Sequence, residues 1–302
     1  MFEVLLKQLA LMLLYMIPGF ILYKKKLLTD AGVKDLGRLL LYVILPAAVI
    51  NSYNMEFTKE KAIGLAISFG LAVIVVLIAV LLSKVCFWKK PIEHFGAAFS
   101  NAGFMGIPLV KAVLGDGAVY YAAAFVAIVN ILQWTYGVYA MTGRKEEISP
   151  KKVITNPILI SFFVGLLVFF VPVQMPSLVT GFLSSLASMT APVAMTMTGV
   201  YLAQLKLSKI FTDPLSYATS AVRLALIPLA TLLVLWLLPF GSFDSKATLL
   251  IVAAAPIGTN VAVYAQLWNM DSARATREVV LSTLLSILTM PLIIELFERL
   301  AA

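Results

Sequence analysis

The chain has 302 residues, of which 61% are hydrophobic and only 13% charged, with a formal net charge of +8. Ordinary soluble domains carry about 25% charged residues, and a mean hydropathy of +0.98 is more apolar surface than a fold in water can hide. This excludes a soluble enzyme, a disordered chain and a coiled coil, and leaves a protein whose solvent is mostly lipid. A single cysteine, Cys86, and a single histidine, His94, exclude an internal disulfide and any multi-cysteine or histidine-cluster metal site. No cofactor is expected.

A helix needs about 20 mostly apolar residues to cross a bilayer. Along the chain, ten stretches qualify: 2–23, 36–53, 62–83, 95–110 and 117–141, then, after a charged stretch, 153–171, 178–202, 215–239, 247–270 and 279–296. These runs are too long and too evenly apolar for the alternating strands of an outer-membrane barrel. The fourth and ninth are interrupted by Gly, Pro and Asn. The first is not read as a cleavable signal peptide, because its basic cluster, Lys24, Lys25 and Lys26, follows the apolar run.

That cluster belongs in the cytoplasm, since cytoplasmic loops are enriched in Lys and Arg. Alternating from there, the inside loops also carry Lys34, Arg38, Lys84, Lys89, Lys90, Arg144, Lys145, Lys151, Lys152, Lys206, Lys209, Arg274 and Arg277. The outside ends carry far fewer. The asymmetry predicts both termini outside and accounts for the positive charge without nucleic acid. The reading is a multi-pass protein of a bacterial plasma membrane, in contact with its lipids; the absence of an Asn-x-Ser/Thr sequon fits that compartment.

The charged stretch divides the chain into two halves of five spans, residues 1–141 and 153–302, joined by a cytoplasmic linker at 142–152. Five is odd, so the second half enters the membrane inverted, a plan common among transporters. Local sequence agrees. Leu45-Pro46 precedes Asn51 and Ser52 in the second span, and Ala191-Pro192 precedes Thr196 and Thr198 in its counterpart. The fourth spans of the two halves read Ser100-Asn101-Ala102-Gly103-Phe104-Met105-Gly106-Ile107-Pro108 and Ala255-Pro256-Ile257-Gly258-Thr259-Asn260. Proline removes a backbone donor and glycine lets the chain leave helical geometry. The freed backbone groups cannot face lipid, so the breaks must face protein, water or a ligand. A half-helix N-terminus suits an anion.

The segment Ser100–Leu109, an Asn followed by Met-Gly-Ile-Pro-Leu, resembles the fourth-helix motif of the auxin efflux carrier family. That family includes bacterial organic-acid carriers of the malate and malonate type and the plant PIN-type auxin carriers. Ala255-Pro256-Ile257-Gly258 is similar to its ninth-helix proline region, and Arg223 with Leu224-Ala225-Leu226-Ile227-Pro228 to its eighth helix. The resemblance covers all ten spans. It implies an all-α inverted five-plus-five fold with broken, crossing fourth and ninth helices. It further implies a scaffold of spans one, two, six and seven, a mobile transport domain, and a substrate carboxylate near Asn101. Some plant carriers have a second proline where this chain has Val261, and a long central loop that it lacks. Both departures favour a small organic acid over auxin itself.

The candidate substrate-binding residues are therefore Asn101, Gly103, Gly106, Pro108, Pro256, Gly258, Asn260, Asn130 and Arg223. Arg223, deep in the eighth span, could attract an anion, pair with carbonyls at a half-helix end, or snorkel to the interface. Asn130 and Gln133, three apart, share a helix face and could line a cavity or link helices. Asn51 and Ser52 could line a cavity or sit at the interface. No Asp or Glu falls near the middle of a span; Glu93, Asp116, Asp213, Glu278 and Glu295 lie near ends, which disfavours a carboxylate-relay exchanger. No phosphate-binding loop and no catalytic set is evident, so an enzyme is not expected. The function predicted is a secondary-active or facilitative carrier of small organic anions, carboxylates and auxin-like acids among them, working by an elevator motion, with a homodimer allowed. The rival is a membrane sensor with a transporter fold that binds an organic acid without flux.

Overall fold

A computed structural model describes residues 1–171 and 175–301. Among them the chain is all helix, with a single isolated β-bridge. Short turns aside, the helices in order are α1 (Phe2–Lys24), α2 (residues 30–52), α3 (Lys59–Cys86), α4 (Pro91–Ala98), α5 (Ala102–Leu114), α6 (Asp116–Thr142), α7 (Pro157–Phe170), α8 (Ser177–Gln204), α9 (Pro214–Leu237), α10 (Phe243–Ala254), α11 (Asn260–Leu267) and α12 (Ser272–Ala301).

Their ends follow from side-chain chemistry. Thr58, Asn156, Asp213 and Ser242 each accept a hydrogen bond from the first turn of α3, α7, α9 and α10 respectively, satisfying amides that have no carbonyl behind them. Pro91, Pro157 and Pro214 sit in the first turns of α4, α7 and α9, where the missing N–H costs nothing. Three prolines further along do alter the helices. Pro46, Pro108 and Pro228 each follow a widened π turn, at Leu40–Ile44, Ala102–Gly106 and Val222–Leu226. A proline cannot donate to the carbonyl one turn back, and the helix opens there.

Six helices among the described residues are long and apolar enough to cross a membrane on their own: α1, α3, α6, α8, α9 and α12. The other expected spans coincide with helices that are short or interrupted. The fourth is divided between α4 and α5 and the ninth between α10 and α11, where glycine, proline and asparagine stop the helix. The protein is a multi-pass membrane protein with an apolar rim: Leu14, Leu81, Phe163, Phe182, Leu233 and Leu288 are all exposed.

The helices pack as two sets that touch. In one, α1 runs against α8, and α2 against α7 and α8; in the other, α3 packs on α4, α6, α9 and α10, and α12 on α9, α10 and α11; α1 against α12 and α7 against α6 join the sets. The α1–α8 contact depends on two glycines. A β-carbon on Gly19 would stand 1.9 Å from the Thr196 carbonyl oxygen, and one on Gly199 would stand 1.9 Å from that of Met16. Backbones this close exclude any side chain. Gly199→Val is therefore expected to lose at least about 1–3 kcal/mol of stability, the usual range for overpacking. Gly181→Val on the same helix, where a β-carbon meets nothing within 4 Å, should leave the unfolding temperature unchanged. Thermal unfolding of both variants in detergent checks the pair.

Candidate functional site

Helix α4 stops at Ala98 and α10 at Ala254, and the two non-helical segments that follow lie antiparallel. The Asn101 N–H donates to the Pro256 carbonyl at 2.8 Å, and the Gly258 N–H to the Phe99 carbonyl at 3.1 Å, around a bridge between Ser100 and Ile257. Ser100 Oγ donates to the Val252 carbonyl at 2.8 Å, and the Ile257 N–H donates to Ser282 Oγ at 3.1 Å. Buried backbone groups released by the breaks thus find partners. Gly258 permits the approach: a β-carbon there would stand 3.2 Å from the carbonyl oxygens of both Phe99 and Ser100.

The C-terminal ends of α4 and α10 leave carbonyls without helical partners. Arg223 takes them. Its guanidinium donates to the carbonyls of Ala97 at 2.9 Å and Ala98 at 3.3 Å, and to that of Ala253. The side chain is 1% exposed, so it does not snorkel. A helix C-terminus carries roughly half a negative charge; one guanidinium faces two such ends.

The N-terminal ends of α5 and α11 begin on the far side of the same bridge. Between them lies a small cavity of about 30 Å³, lined by Leu41, Leu45, Ser100, Asn101, Ala102, Gly103, Phe104, Val126, Val129, Asn130, Gln133, Ile158, Gly258, Thr259 and Asn260. No charged side chain is among them. The first amides of α5 have no intrahelical carbonyl. Asn101 is 5% exposed, and its Nδ2 is a buried donor with no acceptor. The Asn101 carbonyl meanwhile accepts from the amides of Met105 and Gly106, both at 3.1 Å, and starts α5.

Of the residues singled out from sequence, Asn101, Gly103, Asn130, Gly258 and Asn260 come together in this cavity. The other four do not line it. Gly106 backs onto Val252, the Pro256 carbonyl is held by the bridge, and Arg223 is turned to the helix ends. Pro108 faces a second, larger cavity of about 470 Å³ between α1, α2, α5 and α8, whose walls include Tyr15, Asn51, Ser52, Lys111 and Pro192. Asn51 and Ser52 are thus cavity lining rather than interface. Asn130 is already engaged: its Nδ2 donates to the Val126 carbonyl at 2.9 Å, and its Oδ1 accepts from Asn156 at 3.4 Å. Asn260 donates to Gln133 Oε1 at 2.8 Å. Sequence reasoning did not single out Ser100, Phe104, Asn156 or Thr259. The motif around Asn101 could have flagged Ser100 and Phe104; Asn156, a helix cap far along the chain, gave no such signal.

An all-helical membrane protein with two interrupted helices joined at their breaks is a construction that sequence comparison places. The profile of the membrane transport protein family matches residues 4–294, and the chain belongs to that family, the auxin efflux carrier family its fourth-span motif resembles. It is also similar to a protein of Rhizobium meliloti (strain 1021) described as "Putative malonate transporter", 26% identical over 271 residues, which are 84% of this chain and 83% of the relative. The family and this relative are transporters and not enzymes.

Arg223→Met would leave the Ala97, Ala98 and Ala253 carbonyls buried without a donor. Each orphaned group costs about 1–3 kcal/mol, partly offset by removal of a buried charge. The expected net loss is about 2–5 kcal/mol, with Arg223→Lys between it and wild type. Unfolding temperatures of the purified proteins check the order. A wild-type value for Arg223→Met would show that other donors cap these helices.

Proposed function

We propose that the chain is a secondary transporter of small organic anions, binding them between the N-terminal ends of α5 and α11. The observation that carries this reading is the Asn101 amide: a buried donor without an acceptor, at a helix start, in a cavity with no charged side chain. An anionic carboxylate supplies the missing acceptor. The two helix N-termini each present roughly half a positive charge, enough together to balance one carboxylate. The relative's name points to a three-carbon dicarboxylate, and a small diacid fits the absence of aromatic side chains from the lining other than Phe104.

In this reading the polypeptide crosses the membrane ten times as two inverted five-span halves, 1–141 and 153–302, with both termini outside a bacterial plasma membrane. The paired breaks and their antiparallel union support the repeat. The grouping of α1, α2, α7 and α8 supports a fixed frame against which the other helices move. The cavity of about 30 Å³ holds on the order of one or two waters, so admitting an organic acid requires the two groups to shift. The larger cavity, with Lys111 and Asn51 on its wall, is the approach from the outer side. The two sites are separated by the first turns of α5, and moving α5 relative to α2 joins them in turn to either side.

Uptake of labelled malonate and other mono- and dicarboxylates into liposomes containing the purified protein tests the proposal. One lost charge-assisted hydrogen bond is worth about 1.5–3 kcal/mol, so Asn101→Ala should lower saturable uptake roughly 10- to 100-fold. Asn101→Asp, which sets a like charge against the substrate, should abolish it. An Asn101→Ala protein that folds and inserts normally yet carries the acid at the wild-type rate would sink the site.

A further inference from the structure

Sequence position puts Glu93 and Glu278 near span ends, where carboxylates reach water. The structure buries both, at 2% and 0% exposure. The reason is that α12 begins at Ser272, so Glu278 lies in its second turn and inside the packing. Arg274 and Glu278, four apart, share a face, as do Glu93 and Gly96, three apart on α4. Arg274 Nη1 stands 3.3 Å from Glu93 Oε1, and a β-carbon on Gly96 would stand 3.1 Å from Glu278 Oε2. The two carboxyl groups therefore occupy one seam between α4 and α12.

Thr219 Oγ1 shares its one proton between the Leu215 carbonyl at 2.9 Å and Glu278 Oε1 at 3.2 Å, while Oε2 has no donor; Glu93 Oε1 has the Arg274 charge nearby but no aligned hydrogen bond. The charged groups acting on Glu278 are Glu93 from α4, Arg274 from α12 itself and Asp213 from the head of α9. Asp213 also has Arg277 at 3.9 Å. Arg223, a turn beyond Thr219, gives its guanidinium to the carbonyls described above, and His94 turns away to Ser83 and Tyr136. Three carboxylates, Glu93, Glu278 and Asp213, thus face two guanidiniums, Arg274 and Arg277. A buried carboxylate without its own cation costs several kcal/mol. One proton on Glu278 Oε2 cancels the excess charge and turns a buried acceptor that has no donor into a hydroxyl. A metal ion is a poorer solution: among the described residues no three His, Cys, Asp or Glu side chains are grouped to hold one.

This seam lies directly against the bridge. Ser282, one turn beyond Glu278, accepts from the Ile257 N–H, and a β-carbon on Gly96 would also stand 3.3 Å from the Ile257 side chain. We propose that Glu278, backed by Glu93, is a proton-binding site beneath the bridge, and that its occupancy sets the rate of organic-anion transport. The proton comes from water on the side where Arg274 is partly exposed and goes to Glu278 Oε2. The rate claim rests on the transporter reading above; the proton site does not.

Two measurements on the full-length protein test it. Infrared difference spectroscopy near neutral pH should show the carbonyl stretch of a protonated carboxylic acid, downshifted in heavy water and missing from Glu278→Gln. Thr219→Val, which removes the hydrogen bond to Oε1, should move that band, and assigns it even where Glu278→Gln does not fold. In liposomes, exchange of labelled malonate by wild type should vary with pH on one side by up to about tenfold per unit, the limit for one proton. The Glu278→Gln profile should be flat. A band that survives Glu278→Gln or ignores Thr219→Val overturns the site. Identical pH profiles for wild type and Glu278→Gln, or a requirement for sodium in place of the proton, overturn its role. A band that behaves as expected in a protein that carries no acid upholds the proton site and refutes the transport reading instead.

Discussion

The arrangement depends on how a membrane protein can stop an apolar helix in its buried interior. Each break exposes carbonyls at one half-helix end and amides at the other, and lipid satisfies neither. Arg223 resolves the carbonyl half of that problem for both breaks at once, reaching Ala97 and Ala98 on α4 and Ala253 on α10. Two helix C-termini, each about half a negative charge, are matched by one guanidinium. A lysine, with a compact ammonium and no planar fork, could not span carbonyls from two helices as well. With the carbonyl ends held, the backbones of 99–101 and 256–258 can pair with each other, and the first turns of α5 and α11 take fixed positions on the opposite side.

The consequence is an electrostatic asymmetry across a few ångströms. The fixed cation stands with the C-termini, and the N-termini are left with no fixed anion. In the proposed function that second role belongs to the substrate, which would explain why the cavity lining has no charged side chain of its own. A carrier has to release what it binds. Dipoles and a single amide donor hold a carboxylate more loosely than an arginine fork would. Keeping Arg223 behind the bridge retains its favourable field without a direct ion pair.

Much of the fold was legible because lipid imposes simple rules. Long apolar runs marked α1, α3, α6, α8, α9 and α12, and the Gly-, Pro- and Asn-bearing stretches marked where helices stop. Asn101, Gly258 and Asn260 were legible as cavity residues for the same reason. The destinations of side chains were harder to read. Arg223 admitted three readings, since a long side chain at that depth can reach either carbonyls or water, and nothing local says that two helix ends from distant segments converge on it. Gly106 and Pro108 belong to the same motif as Asn101 yet face Val252 and the larger cavity, because successive positions on a helix point in different directions. The burial of Glu278 was hidden for another reason. Hydropathy starts its span at 279, after the last charge, whereas the helix starts at Ser272 and packs against α4 and α9 from its first turns.

That difference between where lipid begins and where protein packing begins bears on how the molecule handles charge. Hydropathy reports the first boundary only. Glu93, Glu278, Arg274 and Arg277 lie between the two, outside the apolar runs but at least half withdrawn from water. There the effective dielectric is low enough for one unbalanced charge to matter and water is close enough to deliver a proton. A carboxylate in the middle of a span would have been conspicuous in the sequence and costly throughout the transport cycle. In the proposal above, a proton on one at the packed end of α12, a single turn from the serine that holds Ile257, acts on the bridge from outside the apolar run.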